Sequence, residues 1–375
     1  MQHDVMRSES GSTAAPAQET EELLIEERGS LAVITLNRPR ALNALNEAMR
    51  AKLAAAYPKF ARNPQIYAVV IQSASEKAFC AGGDVRELIR WGRDDRERAR
   101  KAFADEYALD WLHECFSKPT VSLIDGAVMG SGVGITLYGT HRVAGPRYKF
   151  AMPETAIGLF PDVGATWKLS RLPDSIGMYL GLTGHAIGRA DAYALGLLTH
   201  CIDPAQFEEI KAQLADTWPV DTLLDERHAD PGPGELDGRR TTIATCFSAG
   251  TVEEIVARLE AVPGEDREWA QGVAADIRTR APLSLKITHR HIREAAALAL
   301  RQTLVRDYRL AWRVLEGEDF YEGVRAVLVD KDGKPRWNPS RLEDVSSDMV
   351  DEYFSSLGPI ELDLPTREEM QAARV

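Results

Sequence analysis

Residues 151–164 read Ala-Met-Pro-Glu-Thr-Ala-Ile-Gly-Leu-Phe-Pro-Asp-Val-Gly. Two acids, Glu154 and Asp162, each directly follow a proline in a segment that is otherwise apolar and broken by glycine. Proline fixes its own φ and pushes the residue before it toward extended geometry, so both acids stand at stiff corners of the chain. Most acidic side chains are solvated surface groups, and the chain has 57 of them. An acid among Met, Ile, Leu and Phe is different, because lost solvation raises its pKa and suits it to proton transfer or attack. The same stretch also closes a structural unit. Tyr148 to Ala151 is strand-like, and the corner after it follows an order of elements already met twice upstream.

Leu23 to Glu27 and Leu31 to Leu36 are short strand-like runs around Arg28-Gly29-Ser30, a hairpin signal. Asn37-Arg38-Pro39 breaks the second run, and a helix is expected from Asn46 to Arg62. Ala68 to Gln72 is a compact buried-strand candidate. The loop Lys77 to Asp84 follows it, then a charged helix from Val85 to about Lys101, with helical spacing continuing to Phe116. Thr120 to Ile124 is the next strand, ending in Asp125-Gly126, and a glycine-rich helix start follows at Gly130 to Gly134. Strand, glycine turn and helix recur at intervals of roughly 50 residues, which predicts an α/β fold of repeated units.

Beyond Asp203 the character changes. The Pro/Gly-rich run Asp230-Pro-Gly-Pro-Gly-Glu235 reads as an exposed loop, and most of 251–328 reads as helix, interrupted at Pro282. Lys331 to Pro339 is a turn-rich strap. The expected organisation is a tail over 1–20 without periodicity, a core over 22–203, a variable connection over 204–250 and a helical region over 251–358. The tail is rich in Ser, Ala, Gln and Glu and is expected to be disordered.

Composition removes several classes of function. The net charge is −12, which argues against broad nucleic-acid binding, and an anionic ligand would need a local basic patch. No apolar run approaches the length of a membrane span, and the N-terminus lacks a basic-then-apolar signal pattern. The four cysteines (80, 115, 201 and 246) are widely spaced without C-x-x-C, which suits buried free thiols in a reducing, cytoplasmic setting. The eight histidines show no H-E-x-x-H spacing, so no metal is expected.

Gly82-Gly83-Asp84 and Met129-Gly130-Ser131-Gly132-Val133-Gly134 each stand before a helix. Glycines there can merely permit close helix–strand packing; they can also aim two N–H donors at one carbonyl oxygen. A dinucleotide fingerprint fails because Ile135 stands where a third glycine is needed, and a serine-hydrolase elbow fails because Met129 stands two before Ser131.

These residues resemble the enoyl-CoA hydratase/isomerase (crotonase) superfamily. The resemblance is carried by Asn37-Arg-Pro-Arg-Ala-Leu-Asn-Ala-Leu45, Lys77-Ala-Phe-Cys-Ala-Gly-Gly-Asp-Val-Arg86, Lys118 to Gly134, Phe150 to Gly164 and Gly184 to Asp203. It implies a crotonase-like spiral of ββα turns, here with a C-terminal helical extension, binding a coenzyme A thioester. The run 151–164, together with Asp319 to Asp332 and Pro335-Arg-Trp-Asn-Pro339, is most similar to a subgroup that hydrolyses 3-hydroxyisobutyryl-CoA in valine catabolism. By that resemblance the oxyanion donors fall on the N–H groups of Gly83 and Ser131, where Ser131 replaces a usual glycine. The catalytic carboxylate falls on Glu154, a second on Asp162, and a substrate-side acid on Glu106, which by itself reads equally as a solvated helix residue. Arg40, Ala41, Leu42, Val85 and Arg86 match coenzyme-contacting stretches, with Lys331 a looser match for its phosphates.

The implied partner is an acyl-CoA, with no cofactor beyond the coenzyme A of the substrate. Trimers and hexamers are common in the superfamily, although the extension can replace such contacts. Hydratases of the superfamily grip water with two glutamates, and the first would fall on Gly134, which has no side chain. An isomerase working with one acid at Glu154 stays open, as does a non-catalytic acyl-CoA binder. A second buried acid at Asp162 is costly for both.

Overall fold

The structure, a computed structural model, describes residues 21–375; the tail expected over 1–20 lies outside them. Strands β1 (Leu23–Arg28) and β2 (Leu31–Leu36) pair antiparallel around Gly29, whose φ of +57° makes the tight turn. Helix α1 (Glu47–Arg62) begins at Asn46, whose side chain accepts from the Met49 N–H. Strand β3 (Ala68–Ser73) lies parallel to β2, and the short β4 (Ala78–Cys80) turns away from it. The continuous helix expected from Val85 is two helices, α2 (Val85–Asp94) and α3 (Arg96–Cys115). Asp95 breaks them at φ −150°, and its side chain caps α3 by accepting from the Arg98 N–H.

The unit then repeats. β5 (Thr120–Ile124), β6 (Ala127–Met129) and α4 (Ser131–Leu137) are followed by β7 (His141–Ala144), β8 (Lys149–Ala151), a 3-10 turn at Glu154–Ile157 and α5 (Ala165–Leu169). After α6 (Ile176–Thr183) come β9 (Ile187–Gly188), α7 (Arg189–Ala194) and β10 (His200–Cys201). The long strands form one sheet in the order β1-β2-β3-β5-β7-β10, and the short strands another in the order β4-β6-β8-β9. Pairing is parallel except for β1–β2 and β8–β9. The three circuits β3–β4, β5–β6 and β7–β8 each lay one strand in each sheet before the next helix, a ββα spiral that feeds the two sheets alternately.

Residues 204–250, expected as a variable connection, have a defined packing role. Helices α8 (Phe207–Ala215) and α9 (Val220–Asp225) set Ile210, Leu214, Val220, Leu223 and Leu224 against Leu31, Val33, Val70, Val121, Leu123 and Val143. They cover one face of the large sheet, and alternate strand residues on the other face join the main core. Helix α10 (Arg240–Phe247) leads into α11 (Val252–Glu260), α12 (Arg267–Thr279), α13 (Pro282–Ala295), α14 (Leu300–Val314) and α15 (Asp319–Val324). Pro282 opens α13, where its missing N–H costs nothing. Past a π-helical turn at Arg325–Val329 come α16 (Ser347–Phe354) and α17 (Arg367–Ala372). The helical region thus runs beyond 358, and α17 docks on α3, where the Trp111 indole N–H donates to the Pro365 carbonyl at 2.7 Å.

All four cysteines are buried and free. Among the described residues no helix is long and apolar enough to cross a membrane.

Candidate active site

The first glycine turn follows β4. The Gly82 carbonyl accepts from the Leu45 N–H and the Asp84 N–H donates to the Leu45 carbonyl, both at 2.9 Å, so Gly83 is pinned between two bonds. Gly82 has φ +114°, a conformation open to glycine. Asp84 pairs with Arg38 at 2.8 Å, and the buried Asn43 side chain donates to the Phe79 carbonyl at 3.0 Å, which ties the 38–44 loop to this turn.

The second turn precedes α4. Ser131 and Gly132 are its first residues, so their N–H groups have no intrahelical acceptor. A Cβ placed on Gly83 would stand 2.9 Å from the Ser131 hydroxyl oxygen, and one on Gly132 would stand 2.5 Å from the Cys80 carbonyl. The two turns are therefore in contact, and glycine is what lets them approach. Neither the Gly83 nor the Ser131 N–H donates a hydrogen bond among the described residues.

Glu154 opens the 3-10 turn after β8, with Pro153 at its N-cap. A Cβ on Gly130 would lie 3.2 Å from Glu154 Oε1, which places this carboxyl against the second turn. Glu154 is only 6% exposed, and its Oε2 has no partner among the described residues. Burial, with a smaller push from the charge of Glu106, drives its pKa up to about 8.

Asp162 is 5% exposed and accepts from the Tyr107 hydroxyl. Burial first, then the charges of Glu106, Glu154 and Asp307, raise its pKa well above the usual carboxylate range, and the Tyr107 bond opposes them. Glu106 is buried, not solvated: its Oε2 stands 3.8 Å from the Cβ position of Gly83, and its Oε1 has no partner among the described residues. Gly83, Glu106, Ser131 and the 151–164 stretch with Glu154 and Asp162 are thus gathered from four segments of the chain. Cys80 lies beside them, and burial pushes its thiol up to about 12, away from the thiolate form that a nucleophile needs.

The coenzyme-side residues lie at the surface. Arg40, Leu42 and Arg86 are exposed, Ala41 and Val85 are half-buried, and Lys331 is exposed on the C-terminal strap. Arg86 donates to the Leu328 carbonyl at 2.7 Å, which joins α2 to the π-helical turn that precedes that strap. Next to this contact is a cleft of about 460 Å³ lined by Arg86, Ile89, Arg90, Arg93, Asp94 and Val329. Three arginines there make a local basic patch on an acidic protein.

Sequence reading missed three groups. Tyr107 was not singled out, although it is adjacent to Glu106. Asp110 lies one helical turn beyond Glu106, is 1% exposed, and has an Oδ2 without a partner among the described residues. Burial, then the charges of Glu106, Asp162 and Asp307, raise its pKa well above the ordinary range. The i, i+4 spacing of Glu106 and Asp110, with otherwise apolar neighbours from Tyr107 to Trp111, was the available signal. Asp307 and His291, on α14 and α13, form a fully buried pair that no local pattern marks. These acids do not converge as a metal-binding group among the described residues.

The profile of the enoyl-CoA hydratase/isomerase family matches residues 31–354. The chain belongs to that family. Among its relatives, a mitochondrial 3-hydroxyisobutyryl-CoA hydrolase of Xenopus tropicalis is 40% identical over 92% of this chain and 91% of its own. The 3-hydroxyisobutyryl-CoA hydrolase 1 of Arabidopsis thaliana is 39% identical over 94% of this chain and 96% of its own. A carnitinyl-CoA dehydratase from Mycobacterium thermoresistibile superposes with a TM-score of 0.86 at 35% identity, covering 92% of this chain and 99% of that one. An enoyl-CoA hydratase from Rhodobacter sphaeroides 2.4.1 gives 0.85 at 36%, covering 92% and 100%. The two solved structures share the crotonase fold with this chain, while the names of the four proteins divide between hydrolase and hydratase or dehydratase. A Cβ on Gly134 would lie 2.3 Å from Asp110 Oδ1, so α3 closes against α4 and leaves no room for a larger residue.

Proposed function

We propose that this protein hydrolyses 3-hydroxyisobutyryl-CoA to 3-hydroxyisobutyrate and coenzyme A. The observation that carries the reading is the pair of buried acids, Glu154 against the second glycine turn and Asp162 bound to Tyr107, with no side chain at Gly134. The names and coverage of the hydrolase relatives support it.

In this mechanism the N–H groups of Gly83 and Ser131 hold the thioester oxygen, each donor being worth about 2.7–4 kcal/mol of barrier. Ionised Glu154 has two routes. It attacks the carbonyl carbon, giving a mixed anhydride that water then opens, or it takes a proton from water that attacks instead. Either way the C–S bond breaks, the coenzyme leaves as thiol with one proton, and one water is consumed. Label from heavy-oxygen water found in Glu154 after one turnover marks the first route, with water opening the anhydride at the glutamyl carbon; water entering at the acyl carbon leaves Glu154 unlabelled on either route. Asp162, oriented by Tyr107, and Glu106 accept or donate hydrogen bonds to the acyl hydroxyl or the water. Arg40, Ala41, Leu42, Val85, Arg86 and Lys331 hold the coenzyme, with the arginine-lined cleft taking its phosphates. No cofactor beyond coenzyme A is needed. The product is a hydroxy acid of valine catabolism, and the four buried free thiols suit a reducing, cytoplasmic compartment.

The test is thiol release. Free coenzyme A is followed with 3-hydroxyisobutyryl-CoA and, separately, with an enoyl-CoA. Release from the hydroxyacyl thioester alone supports hydrolysis; double-bond migration or hydration without thiol release overturns it.

A further inference from the structure

The loop that carries Asp162 is held from the C-terminal helices. Val163 has φ +52°, in the left-handed region that β-branched residues rarely enter, and Gly164 follows at +71°. Such a backbone persists only where its surroundings over-determine it. Here the Tyr138 hydroxyl donates to the Val163 carbonyl at 2.6 Å, and the Gly164 N–H donates to Asp307 Oδ2 at 2.7 Å. Asp307 is fully buried, and its other oxygen accepts from His291 Nε2 at 2.6 Å. The same ring nitrogen lies 3.0 Å from the Thr166 hydroxyl, while Nδ1 has no partner among the described residues, which assigns the donor hydrogen to Nε2. One carboxylate from α14 and one imidazole from α13 thus grip Gly164 and Thr166, immediately behind Asp162.

A buried pair of this kind is a poor way to gain stability, since the cost of desolvation offsets most of the attraction. Apolar packing would hold two helices together as well. The pair makes sense where a loop must be fixed in one strained shape. We propose that Asp307 is a positioning residue for Asp162, acting with His291 to fix the Val163–Thr166 backbone and so the direction of the Asp162 carboxyl. The helical extension thereby completes the active site. Its α15 also packs flush on the turn that carries Glu154, since a Cβ on Gly323 would stand 2.4 Å from Ile157.

The inference rests on Asp162 taking part in the reaction, and a double-substitution cycle separates the two claims. Turnover of 3-hydroxyisobutyryl-CoA is measured for Asp307→Ala, Asp162→Ala and the double variant, with a thermal unfolding curve for each. Each single change is expected to lower kcat roughly tenfold or more with KM shifted less than about threefold, and the double variant to be no slower than Asp162→Ala. Losses that multiply in the double variant would overturn the positioning role, as would an unchanged kcat for a folded Asp307→Ala. Full turnover by Asp162→Ala would remove the reading beneath it. If Asp307→Ala folds poorly, His291→Leu takes its place in the cycle with the same expected and overturning results. His291→Gln keeps an N–H donor and is expected to restore kcat; failure to do so counts against the clamp.

Discussion

The Tyr107 hydroxyl donates to Asp162 Oδ2 at 2.9 Å, between two side chains buried in the protein. It is the bond that opposes the rise in the Asp162 pKa. Tyr107→Phe removes the donor and keeps the ring. Losing a hydrogen bond to a buried acid costs about 1–3 kcal/mol. Turnover of 3-hydroxyisobutyryl-CoA is expected to fall by about 5- to 100-fold with little change in KM. A kcat equal to that of the parent would dissociate Tyr107 from the chemistry.

The pH dependence follows from Glu154, whose pKa is pushed up to about 8. Only its ionised form can attack or take a proton, so kcat/KM is expected to climb with pH and level off above about 8. A flat profile between pH 6 and about 9 would contradict this assignment. Stability runs the other way. Burial penalises the ionised form, so the folded state loses stability as pH rises from the ordinary 4.5 to about 8. Glu154→Gln is therefore expected to melt higher than the parent above that range and alike below it, as thermal scans at both ends would show.

Position 134 gives a packing test. A Cβ on Gly134 would meet Asp110 Oδ1 at 2.3 Å, so Gly134→Ala is expected to destabilise the protein by about 1–3 kcal/mol through overpacking. Adding Asp110→Ala should return much of that loss. Denaturant midpoints of the two variants decide it; a Gly134→Ala protein as stable as the parent would mean that the α3–α4 contact is looser than described.

Arg86 gives a binding test. Arg86→Ala is expected to raise KM for 3-hydroxyisobutyryl-CoA severalfold with kcat nearly unchanged, since a charge on remote phosphates contributes uniform binding. A pantetheine thioester, which lacks the nucleotide, should show no such change. Equal effects on both substrates would take Arg86 away from the phosphates.

Much of the spiral was legible because its signals are local. Gly29 marks the hairpin, Asn46 the start of α1, Pro282 the start of α13, and the Pro-acid corners the two site carboxylates. What was not legible depends on contacts distant in sequence. Tyr107 reaches Asp162 across 55 positions, and Gly164 reaches Asp307 across 143. The sheet-covering role of 204–250 arises because α8 and α9 meet strand faces that ordinary short apolar runs do not distinguish. The break at Asp95 carried a local signal, an acid three residues before the N–H that it caps, but the surrounding charges masked it. Glu106 by itself read equally as a solvated residue, because one residue type in a charged helix says nothing about which side faces the core.

The most direct measurement is the turnover of Glu154→Gln, which keeps the shape of the side chain and removes its charge. Thiol release from 3-hydroxyisobutyryl-CoA is expected to fall by several orders of magnitude while the substrate still binds. A variant that turns over near the parental rate would contradict the central role of that carboxylate.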